Sequence, residues 1–96
     1  MELLVTYDVS TVTTDGENRL RKVAKVCEGF GQRVQKSVFE CVLNEADLEV
    51  MRVKLRREMD LGADSLRIYR LREPIRRYLE VLGVDRQFDI REPLVL

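Results

Sequence analysis

The amino-acid sequence predicts an α+β domain in which two helices cover one face of a four-stranded antiparallel sheet. Two observations predict it: two segments carry apolar residues at helical spacing, and four short segments are rich in strand-forming residues. Their order along the chain is strand, helix, strand, strand, helix, strand, which is the ferredoxin-like βαββαβ pattern. A length of 96 residues favours one domain. We divide it into a ferredoxin-like core over residues 1–73 and a C-terminal segment over residues 74–96.

The first strand and helix are predicted over residues 3–28. Residues 3–7 are apolar and rich in strand formers, as in a strand buried on both faces, and Asp8 ends this run. A polar stretch follows, and Thr14 and Glu17 then have the spacing of a capping box, which predicts the start of a helix. The helix has an apolar stripe at positions i, i+3, i+4 and i+7, and glycines end it: Leu20, Val23, Ala24 and Cys27, then Gly29 and Gly31.

The second half of the core is predicted to contain two strands, a helix and a fourth strand. Residues 33–35 and 38–43 predict two strands joined tightly around Lys36 and Ser37. Asn44 is a suitable N-cap for the second helix, with Asp47 at its third position. The alternation over residues 65–71 predicts the fourth strand. The second helix carries one apolar stripe and closes at a glycine: Leu48, Met51, Leu55 and Met59, then Gly62.

The C-terminal segment allows two interpretations. Pro74 is a suitable first residue for a helix that Gly83 would end, and residues 78–84 are equally compatible with a fifth strand. Residues 93–96 form an apolar chain end. A core of this size leaves a modest stability margin, so pairing with a second copy is plausible. We therefore expect a homodimer in which C-terminal strands pair with the sheet edges of the second subunit.

The absence of histidine narrows the possible chemistry. It excludes Ser-His-Asp and Cys-His catalysis, a histidine general base and the usual zinc hydrolase sites. Cys27 and Cys41 fit neither a disulfide framework nor a zinc site, and we interpret both as small buried hydrophobic residues. What remains is carboxylates, hydroxyls, Arg, Lys, Tyr or a bound metal.

The charge balance is even overall and uneven locally. The chain has 17 basic and 17 acidic residues, yet residues 52–77 hold nine basic residues, eight of them Arg, against four acidic ones. An Arg-rich segment suits phosphate contact. Charge alone favours the other interpretation, a solvated helix face with surface ion pairs.

Met1 and Glu2 lead directly into the first strand without a signal peptide, and no apolar stretch approaches the roughly 20 residues of a membrane span. We expect a soluble cytoplasmic protein with reduced thiols.

Asp8 is the leading candidate for chemistry. A carboxylate at the end of a buried strand has a rigid support, although turn-capping aspartates are also common there. A hydrolase without histidine often relies on a hard cation, and Mg²⁺ or Mn²⁺ prefers oxygen ligands. One carboxylate per chain is a poor site, whereas two brought together by a dimer axis are adequate. The metal would polarise a phosphodiester and lower the pKa of a bound water.

Three residues can support Asp8. Alternation puts Tyr7 on the opposite face of the strand, where it can be a core residue. Ser10 can contribute a hydroxyl to a metal-bound water, although a turn hydroxyl that bonds to the backbone is the commoner role. Phe39 lies in the third strand, where core packing is favoured over stacking on a base.

Three arginines are candidate phosphate contacts. Arg19 and Arg21 open the first helix, and Arg33 opens the second strand. For Arg19 and Arg21 the alternative is a solvated helix face.

Four segments carry a resemblance to a known family. They are residues 3–10 (LLVTYDVS), 19–25 (RLRKVAK), 29–41 (GFGQRVQKSVFEC) and 65–71 (SLRIYRL). In this order and at these spacings they resemble the second universal CRISPR-associated protein, a small endonuclease and spacer-acquisition family, in the branch found with type I-C systems. The match covers nearly the whole chain and weakens after Glu73.

The resemblance implies a fold, an activity and a set of residues. It implies a ferredoxin-like homodimer with the C-terminal strand added to the partner's sheet. The implied activity is a metal-dependent endonuclease acting on single-stranded RNA or double-stranded DNA, and the type I-C branch is associated with double-stranded DNA. The family's metal-binding aspartate falls on Asp8, its adjacent aromatic on Tyr7, and its strand arginine and phenylalanine on Arg33 and Phe39.

The resemblance also implies a role without chemistry. The family serves as the central dimer of the spacer-integration complex, between copies of a CRISPR integrase subunit, and spacer integration need not depend on nuclease activity. Two hypotheses therefore stand side by side: an Mg²⁺-dependent endonuclease, and a DNA-binding scaffold dimer that bridges integrase subunits. A third class, a small-molecule-sensing ferredoxin-like module, needs a ligand pocket at a sheet edge, and the sequence singles none out.

Overall fold

The computed structural model describes residues 1–85, and it has the predicted α+β architecture. Four antiparallel strands form one sheet in the order β2-β3-β1-β4, with two helices on one face. The elements in chain order are β1 (Glu2–Asp8), α1 (Thr14–Glu28), β2 (Gly31–Gln35), β3 (Val38–Val42), α2 (Glu45–Glu58), β4 (Ser65–Arg70) and a 3₁₀ turn at Ile75–Arg77.

Strand β1 lies at the centre of the sheet and has two different faces. Leu3, Val5 and Tyr7 are buried under the helices, whereas Leu4 and Thr6 on the other face are only partly buried. Burial on both faces, which the apolar run predicted, is therefore wrong for the single chain. The helices contribute their predicted stripes to the core. Leu20 and Met59 are only partly buried, and the other stripe residues are buried: Val23, Ala24, Cys27, Leu48, Met51 and Leu55.

Both cysteines are buried and free, which confirms their interpretation as small hydrophobic residues. Burial raises the pKa of the Cys27 thiol to about 12 and that of the Cys41 thiol to about 11. Because the thiolate is the reactive form, neither sulfur is a nucleophile at neutral pH.

The N-cap of α2 is the predicted one, whereas the N-cap of α1 differs from the prediction. Asn44 caps α2 as predicted, because its Oδ1 accepts a hydrogen bond from the Asp47 N–H at 2.8 Å. The N-cap of α1 is Thr13 and not Thr14: Thr13 has extended backbone and its Oγ1 accepts from the Gly16 N–H at 3.2 Å. The capping box with Glu17 is therefore wrong. Helix α2 also ends at Glu58, before the predicted Gly62 stop.

The C-terminal segment is described as far as residue 85. In the single chain a 3₁₀ turn forms at Ile75–Arg77 in place of the predicted helix, and residues 78–85 are in neither helix nor strand; a fifth strand that pairs with a second subunit stays a prediction. The Ile75 N–H donates to Glu2 Oε2 at 2.6 Å, which ties this turn to β1. The apolar end at 93–96 lies outside the described residues, and strand exchange with a partner stays a prediction. In residues 1–85, neither helix has the length and apolar character needed to cross a membrane.

Candidate functional site

Asp8 is the last residue of β1, at the end of the central strand. It pairs with Ser65 of β4 across the sheet, and its side chain is exposed. Alternation along β1 puts it on the face away from the helices, together with Leu4 and Thr6. The carboxylate therefore has a rigid backbone support and free access from that face.

The chain that follows Asp8 is held firmly. The Ser10 N–H donates to Asp64 Oδ1 at 3.0 Å, and the Ser10 carbonyl accepts from an Arg19 terminal nitrogen at 3.4 Å. Gly16 of α1 lies against the same carbonyl so closely that a Cβ there would be 1.9 Å from the oxygen. Only glycine fits at position 16, and Ser10 is fixed through its backbone.

Asp64 lies beside the candidate site and was not predicted from the sequence. Its side chain is 0% exposed, and it accepts from Arg19 Nε at 2.9 Å, from the Asp60 N–H at 2.9 Å and from the Ser10 N–H. The hydrogen bond from Arg19 is the main reason that the pKa of Asp64 lies below its ordinary value. The available signal was an aspartate directly before the fourth strand, but its partner Arg19 is 45 residues away along the chain.

The predicted phosphate contacts on α1 lie in different environments. The side chain of Arg19 is only 21% exposed and is committed to Asp64, so the alternative of a solvated helix face is wrong for this residue. Arg21 is exposed and one of its terminal nitrogens donates to Asn18 Oδ1. Arg21 therefore keeps the accessibility that a phosphate contact needs, whereas the guanidinium of Arg19 is already paired.

Arg33, Phe39 and Tyr7 form a stacked group on the helix side of the sheet. The Arg33 guanidinium lies 5.2 Å from the centre of the Phe39 ring, and the rings of Phe39 and Tyr7 are 6.1 Å apart. Phe39 is fully buried, as core packing requires, so it presents no surface to a base. Burial raises the pKa of Tyr7, whose hydroxyl approaches the Lys36 carbonyl at 3.5 Å. The Arg33 side chain is 46% exposed, and its loose ion pair with Glu28 has a 3.8 Å separation.

These residues fit a metal only in part. Within residues 1–85 there is no group of three or more His, Cys, Asp or Glu side chains that can hold a metal ion. The exposed Asp8 carboxylate does suit Mg²⁺, which is often bound through one or two carboxylates and several waters. Among residues 1–85, the Ser10 hydroxyl makes no hydrogen bond, so the predicted turn bond of that hydroxyl is absent. One chain thus offers a single exposed carboxylate, which alone is a poor Mg²⁺ site.

A shallow cavity of about 250 Å³ lies between the helices, at the far end of α1 from Asp8. Three of its seven lining residues are lysines, and the full set is Lys22, Lys25, Val26, Gly29, Phe30, Lys54 and Glu58. Gly29 and Phe30 lead directly into β2, an edge strand, so part of the cavity lining adjoins a sheet edge, where a small-molecule-sensing module would need its ligand pocket.

Comparison with known proteins gives the family. A family model described as CRISPR associated protein Cas2 matches residues 1–77. The chain is 57% identical to "CRISPR-associated endoribonuclease Cas2 1" of Moorella thermoacetica over 100% of both chains. It is 44% identical to "CRISPR-associated endonuclease Cas2" of Halalkalibacterium halodurans over 99% of both chains.

Solved structures agree with the family match and with the fold. The crystal structure of Streptococcus pyogenes Cas2 at pH 6.5 superposes with a TM-score of 0.78 at 47% identity, over 86% of this chain and 100% of that one. A hypothetical protein, TT1823, from Thermus thermophilus gives a TM-score of 0.73 at 42% identity, over 88% of this chain and 92% of that one. The chain that carries Asp8 at the end of its central strand therefore belongs to the Cas2 family of CRISPR-associated proteins.

Proposed function

We propose that this chain is a metal-dependent endonuclease of a CRISPR system, acting in spacer acquisition and antiviral defence with Asp8 as its metal ligand. The observation that carries the proposal is the exposed Asp8 carboxylate at the rigid end of the central strand. The relatives' names support nuclease activity, and they divide between endonuclease and endoribonuclease. We therefore propose hydrolysis of phosphodiester bonds in double-stranded DNA or single-stranded RNA, with DNA favoured by the type I-C-like motifs.

A homodimer would complete the site. Asp8 shares its sheet face with apolar side chains that a single chain leaves partly or largely accessible, among them Leu4, Val42 and Tyr69. Packing of two such faces would bury these side chains and bring two Asp8 carboxylates together. The dimer thus supplies the second carboxylate that one chain lacks.

Each residue then has a role. The two Asp8 carboxylates would hold Mg²⁺, or Mn²⁺ in its place, and the ion supplies polarisation of a phosphodiester and acidification of water. Arg21 and Arg33 are accessible enough to bind phosphate oxygens of the substrate. Tyr7 supports Asp8 from the buried side of the strand, and the Ser10 hydroxyl is available to water at the site.

The test is the Asp8→Ala variant of the full chain, measured with Mg²⁺ on double-stranded DNA and on single-stranded RNA. We expect cleavage to fall to the level seen with EDTA, while circular dichroism and the dimer mass stay unchanged. Asp15→Ala, an exposed aspartate in the first turn of α1, is the matched control and should cleave normally. Metal-dependent cleavage by a folded Asp8→Ala protein at the wild-type rate would refute the proposal.

The scaffold hypothesis has an observation of its own. The arginines of residues 52–77 are mostly exposed and are therefore accessible to DNA phosphates. In that case the dimer holds DNA between integrase subunits without chemistry. Asp8→Ala would then leave spacer acquisition in cells intact, whereas charge reversal at Arg52 and Arg56, or truncation after Gly83, would impair it.

A further inference from the structure

The ion pair between Arg19 and Asp64 is less exposed than the other ion pairs of residues 1–85. The side chains are 21% and 0% exposed at an N–O distance of 2.9 Å. The Arg70–Glu45 ion pair has the same distance but is 61% and 67% exposed. The cost of desolvating two charges often exceeds their attraction in a buried ion pair. Low exposure alone is therefore no evidence that this pair stabilises the fold.

What distinguishes the buried pair is its hold on the backbone beside Asp8. Asp64 accepts the Ser10 N–H at 3.0 Å, and Arg19 donates to the Ser10 carbonyl at 3.4 Å. Both backbone groups of one residue are thus bound by the two members of one ion pair. Gly16 packs directly against the Ser10 carbonyl, and any side chain at position 16 would collide with it.

The same pair also reaches Asp8 from the neighbouring strand. Asp64 directly precedes Ser65, which is the residue that pairs with Asp8 across the sheet. Between Asp8 and Ser10, Val9 is buried with 6% exposure. The Asp64 carboxylate therefore holds the backbone on the C-terminal side of Asp8, at Ser10, and Asp64 adjoins along the chain the residue that pairs with Asp8.

We infer that Asp64, through Arg19 and the Ser10 backbone, is a positioning residue that aims the Asp8 carboxylate at the metal. This inference rests on the proposed function. If each subunit supplies one carboxylate to the metal, both carboxylates must be placed accurately, because small errors in ligand position weaken binding and catalysis. Asp64 itself does not bind the ion, because its oxygens are buried and occupied by hydrogen bonds from Ser10, Arg19 and Asp60.

The experiment compares Asp64→Asn and Arg19→Lys with Glu45→Gln in the full-length dimer. Glu45→Gln is the matched control, because it removes an ion pair of equal N–O distance that is exposed and lies at the other end of the sheet. The first readout is the Mn²⁺ dissociation constant from calorimetry. The second is amide hydrogen exchange at Ser10 in the metal-free protein. The third is the Mg²⁺ concentration that gives half-maximal cleavage.

We expect Mn²⁺ binding by Asp64→Asn to weaken by about 10- to 100-fold, as for other residues that orient a metal ligand. Exchange at the Ser10 amide should accelerate, and saturating metal should restore most of the cleavage rate. A merely structural role would lower the melting temperature and leave the Mn²⁺ affinity of the folded protein unchanged. Arg19→Lys keeps the charge but cannot donate from two positions as the guanidinium does, so it tests the same point if Asp64→Asn does not fold.

The outcomes separate this inference from the proposed function when Asp8→Ala is measured alongside. Loss of Mn²⁺ binding in Asp8→Ala, together with wild-type affinity in folded Asp64→Asn and Arg19→Lys, would overturn the positioning role alone. Wild-type Mn²⁺ binding by Asp8→Ala would overturn both. Weakened binding in Asp64→Asn with normal binding in Glu45→Gln would establish the positioning role.

Discussion

Asp8 and Asp64 lie at adjoining ends of neighbouring strands but in opposite environments. Asp8 is exposed and is the carboxylate with room for a ligand, whereas the oxygens of Asp64 are buried and hydrogen-bonded. The difference comes from direction: Asp8 projects from the sheet face away from the helices, and Asp64 precedes β4 and is directed at Arg19 of α1. The same residue type therefore supplies a candidate ligand at one position and a structural link at the other.

The buried pair makes stability depend on pH. The pKa of Asp64 lies below its ordinary value of 3.8 because the folded state favours the carboxylate, chiefly through Arg19. A lowered folded-state pKa gives a contribution to stability that is present above pH 3.8 and is lost as pH falls through the folded-state pKa. We expect the melting temperature of the wild type to exceed that of Asp64→Asn at pH 7 and pH 5. The gap should narrow at pH 3, and an undiminished gap at pH 3 would contradict this linkage.

At the scale of single elements, local signals decided which segments the sequence could predict. Both helices and the fourth strand follow from periodicity, the other strands from residue type and turn signals, and the Asn44 cap from residue type and spacing. The cap of α1 was misplaced by one residue because Thr13 and Thr14 are adjacent and chemically equal, and only Thr13 has the extended backbone that a cap requires. Residues 74–84 lack a decisive local pattern.

The site was predictable only where it depended on one segment of the chain. Asp8 follows from its place after an apolar run, Tyr7 from alternation and Phe39 from its place in the third strand. Asp64 does not, because its partners Ser10 and Arg19 are 54 and 45 residues away and meet it only in the folded chain. For the same reason Arg19 resembled a surface arginine until the fold placed it beside Asp64.

The α2 cap provides a test at this scale. Asn44→Ala removes the side-chain acceptor for the Asp47 N–H and should lower the free energy of unfolding by about 1 kcal/mol. Glu49→Ala is the control in the same helix. It removes only an exposed ion pair with Arg52, and its cost should be below about 0.5 kcal/mol. Urea unfolding of the two variants measures both values, and equal costs would show that the cap contributes nothing specific.

At the scale of the whole molecule, the sheet has one face that the helices cover and one that they do not. The uncovered face carries Asp8 together with Leu4, Val42 and Tyr69. A chain of 96 residues buries a limited fraction of its apolar surface, so an apolar sheet face favours association through that face, which would also bring together the proposed metal ligands. Dimerisation and catalysis should therefore fail together when the face is disrupted.

Val42→Asp tests this coupling, with Val53→Asp as its control. The two valines are 43% and 45% exposed in the single chain, but Val42 lies on the uncovered sheet face and Val53 on the outside of α2. Equal exposure makes the direct cost of each aspartate to the stability of the monomer similar, whereas two aspartates facing each other across a dimer axis would repel in a desolvated interface.

We expect light scattering to show a monomer for Val42→Asp and a dimer for Val53→Asp. Mg²⁺-dependent cleavage should disappear only in Val42→Asp, although its Asp8 is intact. A dimeric, active Val42→Asp protein would show that the second carboxylate does not come from packing of this face.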